Sequence, residues 1–103
     1  MKAVAGGGPP VHRLRLYVAG QSPRSLAALN NLGRICRERL GGRCRFEVVD
    51  LLEHPDRAQR DQIIAIPTLV KRWPLPLLRI VGDLSDVEYV MAGLELRTVQ
   101  GTS

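Results

Sequence analysis

An α/β domain is what this sequence predicts, and three observations carry the prediction. A strand pattern, a capped amphipathic helix and a second strand pattern follow one another with short links in the first half of the chain. An apolar run broken by proline and a second short run then read as a hairpin. A final amphipathic helix completes the order.

The run Gly6-Gly7-Gly8-Pro9-Pro10 supports neither a helix nor a central strand. The reading is a flexible tail over 1–12, a domain over 13–97 and a second tail over 98–103. Leu14 to Ala19 alternates, with Leu14, Leu16 and Val18 on one face and Arg15, Tyr17 and Ala19 on the other. After the turn Gly20-Gln21-Ser22, Ser22 suits a helix N-cap and Pro23 the first helical position. Leu26, Leu29, Leu32, Ile35, Cys36 and Leu40 then recur at helical spacing until Gly41-Gly42. Arg45 to Leu51 is the second strand, and a strand–helix–strand unit of this kind makes its two strands parallel. Pro55 to Gln62 is polar and reads as one or two helical turns.

Ile63 to Val70 is an apolar strand interrupted at Pro67, which lacks a ladder donor; a cis peptide before Pro67 is one solution. Trp73-Pro74-Leu75-Pro76 makes a rigid turn and Leu77 to Val81 the returning strand. Ser85 and Glu88 fit a capping box, followed by Val87, Val90, Met91 and Leu94 at helical spacing. The order is βαβ, a weak helix, ββ and α, which is the thioredoxin plan.

The composition narrows function mainly by exclusion. The chain has 103 residues and a formal net charge of +5, and nearly all its basic residues are arginine. That balance suits an acidic partner, since guanidinium groups pair bidentately with carboxylates. The apolar runs fall short of the roughly 20 residues that span a bilayer, and no secretory pattern opens the chain. A cytoplasmic location is the expectation. Cys36 and Cys44 form no C-x-x-C motif, and Cys36 reads as a small buried hydrophobe. The turn Gly20 to Ser25 holds no cysteine, so the thiolate of a thioredoxin-type enzyme is missing. His12 and His54 frame no triad or zinc spacing. Asp50 and Asp83 each follow a strand-like run, where a carboxylate is usually a cap or turn residue. No enzyme activity, cofactor or metal is expected. Arg34, Arg37, Arg39, Arg43 and Arg45 form a basic band that nucleic acid could use, but the only nearby aromatic is Phe46, and nucleic-acid binding is disfavoured.

Several segments resemble the KaiB family of circadian clock proteins. Leu14-Arg15-Leu16-Tyr17-Val18-Ala19-Gly20 with Ser22-Pro23 is similar to its opening strand and turn, and Val49-Asp50-Leu51-Leu52 with Pro55 to its second strand. Ile64 to Lys71 is similar to its proline segment, and Leu75-Pro76 with Arg79-Ile80-Val81-Gly82-Asp83-Leu84-Ser85 to its most diagnostic run. Gly93-Leu94-Glu95-Leu96 resembles its Gly-Leu-Asp-Leu ending.

The resemblance implies a thioredoxin-like form that binds the N-terminal ATPase ring of a KaiC-type kinase. It also implies an alternative resting fold, a homo-oligomer (tetramer or dimer) with a rearranged C-terminal half. It places partner contacts at Arg45, Glu47 and Arg79, and the change of fold at Pro67, Gly93 and Glu95. Gly93 to Leu96 is expected within the last helix of the thioredoxin-like form. Arg45 and Glu47 replace an alanine and a lysine associated with partner binding, so KaiA is a doubtful partner. A timer or stress-response system without KaiA is the alternative.

Overall fold

The computed structural model describes residues 12–98; both expected tails fall outside this span, apart from His12 and Thr98. The element order is β1 (His12–Val18), α1 (Pro23–Glu38), β2 (Cys44–Asp50), α2 (Asp56–Arg60), β3 (Thr68–Trp73), β4 (Leu78–Val81) and α3 (Val87–Gly93). The strands form one sheet in the order β2-β1-β3-β4. β1 runs parallel to β2 and antiparallel to β3, and β3 and β4 form the expected hairpin.

The N-terminal half follows its local signals closely. Ser22 caps α1, its hydroxyl accepting from the Ser25 backbone N–H at 3.3 Å, and Pro23 opens the helix. Gly41 and Gly42 leave the helix with φ of 61° and 71°, left-handed values that a side chain resists. Asp50 closes the unit: its Oδ1 accepts from the backbone N–H of Gly20 and of Leu52, both at 2.9 Å. These two bonds hold its carboxyl below the usual carboxylate range. Asp50 ends β2, and its carboxylate caps the adjoining turns, the role the sequence suggested for a strand-end carboxylate.

One face of the sheet carries the main core. Leu14, Leu16, Leu69 and Ile80 pack there with Ala28, Leu32 and Ile35 of α1 and Val90 and Met91 of α3. A smaller cluster on the other face joins Tyr17, Val49, Leu51, Ile63 and Val70, with Ala58 of α2 against it. Leu26, expected on the buried stripe of α1, is 46% exposed; Ala28 takes the inward position instead.

The C-terminal half departs further from expectation. The sheet resumes at Thr68, not Ile63, because Pro67 has no N–H to donate. The Ile66–Pro67 peptide is cis, and Ile64 is 97% exposed on the connection. The cap of α3 is Asp86 rather than Ser85: its Oδ1 accepts from Tyr89 N–H at 3.1 Å. The Ser85 N–H goes to Asp83 Oδ1 at 3.0 Å, and Glu88 pairs with Arg39 at 2.9 Å instead of closing a capping box. The helix ends at Gly93, so Leu94 to Leu96 form a closing turn and not helix.

Cys36 and Cys44 are joined in a disulfide with a Cα–Cα distance of 5.9 Å. This corrects the reading of Cys36 as a free buried hydrophobe. The Gly41-Gly42 reversal returns the chain along the last turns of α1 and sets the start of β2 beside them. That proximity is tertiary, and the spacing of the two cysteines does not announce it.

His12 begins β1, inside the segment assigned to the tail, and is 1% exposed. Its Nε2 accepts from the Arg97 backbone N–H at 3.3 Å. Burial, with Lys71 and Arg97 nearby, lowers its pKa below the ordinary 6.5. The fold therefore favours the neutral ring. That stability is complete above the unfolded value and is lost as pH falls through 6.5 toward the lowered folded value. Urea denaturation at stepped pH should show this loss, and His12→Gln should remove it from that window. An unchanged pH profile in the variant would mean that His12 is not its source.

Candidate partner-binding surface

Alternation along the strands sets Arg13, Arg15 and Tyr17 on the sheet face away from the main core. The β1–β2 register places Arg45 beside Arg13, Glu47 beside Arg15 and Val49 beside Tyr17. The β3–β4 register places Arg79 beside Val70. α2 and its approach cover only part of this face, and arginine dominates the remainder.

Arg15 ties the centre together. Its guanidinium donates to Glu47 Oε2 at 2.6 Å and to the Tyr17 hydroxyl at 3.3 Å. Tyr17 in turn donates to Asp61 Oδ2 at 2.6 Å, and Arg57 donates to the same oxygen at 3.1 Å. The Tyr17 bond above all holds the Asp61 carboxyl below its usual range; burial opposes it, and Arg57 adds to the lowering. Both carboxylates of the face are thus already engaged.

The structure brings Arg45 and Glu47 together on β2, an outer strand. It puts Arg79 on β4, the opposite outer strand, on the same face. The Arg79 guanidinium is occupied: it donates to the Gln62 carbonyl at 2.7 Å and closes the chain leaving α2. The rest of the expected basic band lies elsewhere. Arg34 donates to Asn31 Oδ1, and Arg39 pairs with Glu88.

Sequence reasoning missed Arg13, Arg72 and Trp73. With Arg45, Phe46 and Glu47 they line an open cleft of about 490 Å³ at one end of the face. The signal was present as alternation along β1, but the two strands that flank Arg13 cannot be read from β1 alone.

Comparison with known proteins decides the family. The family model described as the KaiB domain matches residues 15–96. The chain is 48% identical over 83 residues to circadian clock protein KaiB3 of a Synechocystis strain, covering 81% of each chain. It is equally identical, over the same span, to circadian clock oscillator protein KaiB of Synechococcus elongatus. The chain belongs to the KaiB family. Among solved structures, the N-terminal domain of Synechococcus elongatus SasA superposes with a TM-score of 0.68 at 19% identity, covering 91% of each chain. Mitochondrial thioredoxin 3 of Saccharomyces cerevisiae gives 0.65 at 20% identity, covering 84% of this chain and 78% of the other. These two likenesses show the thioredoxin-like fold.

Within this KaiB-family fold, Pro67, Gly93 and Glu95 are constrained in different ways. Pro67 is buried just before β3. A Cβ added to Gly93 would lie 3.0 Å from Ile80 Cγ2. Gly93→Ala therefore presses on the core of this form. Glu95 has φ of 53°, a left-handed value that glutamate adopts poorly and Asp or Asn more readily. The family's Gly-Leu-Asp-Leu ending supplies aspartate there. Glu95→Asn should stabilise the thioredoxin-like form by up to about 1 kcal/mol, a part of the left-handed cost. Chemical denaturation checks this; an unchanged midpoint would mean that Glu95 is not strained.

Proposed function

We propose that this KaiB-family protein binds the N-terminal ATPase ring of a KaiC-type kinase, modulates its phosphorylation cycle and reaches the binding form by a change of fold. The resting state in this reading is a homo-oligomer, tetramer or dimer, and the thioredoxin-like form is the competent one. The protein acts in the cytoplasm as a binding module without catalytic chemistry of its own. KaiA stands outside the proposed partner set.

The observation that carries the reading is a division of strain along the chain. Among the described residues, the non-glycine positions with positive φ are Gln62 at 59°, Leu84 at 66° and Glu95 at 53°. All three follow β2. Strain of this type costs of order 1–3 kcal/mol per residue and persists only where the surroundings enforce it. The same half holds Lys71 with its side chain 2% exposed on the core side of β3, without a carboxylate partner among the described residues. Burying a cation without a counter-charge is costly. A second packing that relieves these costs can lie close in free energy. The binding form is then a fraction of the population, and apparent affinity falls by that fraction.

On this reading Arg45, Glu47 and Arg79 meet the partner across the outer face. Titration against a KaiC-type hexamer should show that Arg45→Glu weakens binding without lowering the melting temperature. Arg79→Ala should weaken binding by about 1–3 kcal/mol, the range of a charge-assisted hydrogen bond, and should also lower the melting temperature because Gln62 loses its donor. A fall in melting temperature with full affinity would remove Arg79 from the partner site. Absence of binding by the wild-type chain would overturn the proposal.

A further inference from the structure

The cleft at the open end of the outer face has a feature that partner docking on a flat sheet does not need. A regular strand sends consecutive side chains to opposite faces. The β1–β3 ladder pairs Arg13 with Trp73 but Leu14 with Lys71, so Arg72 is an extra residue on β3. Such a bulge re-aims side chains, and here both Arg72 and Trp73 line the cleft. Arg13 is thereby flanked by Arg45 on one side and Trp73 on the other.

The charge balance of this cleft is uncompensated. Arg13, Arg45 and Arg72 have no carboxylate partner among the described residues. The one carboxylate in the lining, Glu47, is bonded to Arg15 at 2.6 Å. Like charges facing each other across a strand pair are destabilising, and a bound anion relieves that repulsion. Trp73 is 50% exposed beside these guanidinium groups, offering a ring face. Guanidinium forks match phosphate oxygens, and an exposed aromatic accepts a stacked base. The volume of about 490 Å³ suits one small ligand.

We infer that the cleft lined by Arg13, Arg45, Arg72 and Trp73 binds a nucleoside polyphosphate, with the phosphates on the arginines and the base against Trp73. Trp73 is the sole tryptophan of the chain, so its fluorescence reports this site alone.

The test is titration of the full-length protein with ATP, free of divalent metal, at fixed ionic strength. A saturable quench of Trp73 fluorescence with an apparent Kd below about 1 mM is expected. Inorganic tripolyphosphate should compete, and ATP should raise the melting temperature. Arg72→Ala and Arg45→Ala should each weaken binding about ten-fold, as loss of a charge-assisted contact does. Arg72→Lys, which keeps the charge and loses the fork, should give a smaller loss and serves if the alanine variant fails to fold. Arg37→Ala, on the exposed side of α1, should bind as wild type. Linear quenching without saturation, or equal loss in Arg37→Ala, overturns the site. So does tighter, steeply salt-dependent binding of a deoxythymidine oligonucleotide, which would make the face a single-strand surface instead.

Discussion

The antiparallel seam between β1 and β3 is the constraint on which the rest of this fold depends. β1 is shared: it pairs in parallel with β2 on one side and with β3 on the other. Leu16 and Leu69 stand opposite each other across the seam, both with 0% exposure. The hairpin β3–β4 joins the sheet only through this seam, and Ile80 brings Val90 and Met91 of α3 into the same core. The seam therefore joins a locally determined βαβ unit to a half held in place largely by tertiary contact. Deep apolar burial along it, worth roughly 1.5–3 kcal/mol per large aliphatic side chain, is of the size needed to enforce the left-handed Gln62, Leu84 and Glu95. It is also the strand pairing that the proposed rearrangement of the C-terminal half would break.

The outer face follows from the same alternation that builds the core. Leucine and valine turned inward along β1 leave arginine and tyrosine turned outward. Glu47 and Asp61 are spent on Arg15, Tyr17 and Arg57, which fixes the middle of the face and leaves positive charge at its end. The bulge at Arg72 then converts that end from a flat patch into a cleft. Electrostatics of this kind govern association and selectivity more than stability. The exposed charges of the face can carry partner recognition, while Tyr17, Val49 and Val70 on the same face pack beneath α2.

The first half of the chain was legible because its local signals agree. Alternation in β1, the Ser22-Pro23 start and the Gly41-Gly42 stop all specify the structure that forms. The second half was less so because its signals compete. Ile63 to Ile66 is apolar enough for a strand, yet Pro67 denies it a ladder and Ile64 stays in solvent. Ser85 and Asp86 are both good caps, and only the path of the chain after Leu84 selects Asp86. The Cys36–Cys44 bond and the Trp73 cleft depend on tertiary return and on a bulge, and neither has a local signature. Arg45, Glu47 and Arg79 came from family resemblance rather than from pattern. The structure places them on one face but leaves Arg79 engaged with Gln62.

Native-state hydrogen exchange is the most direct test that the two halves are energetically distinct. Amides bonded between β1 and β2 should exchange only by global unfolding. Amides bonded between β3 and β4 should exchange through a partial opening of lower free energy that leaves β1 and β2 protected. A single shared opening free energy for both sets would contradict the account, because the C-terminal half could then not rearrange while the βαβ unit stays folded.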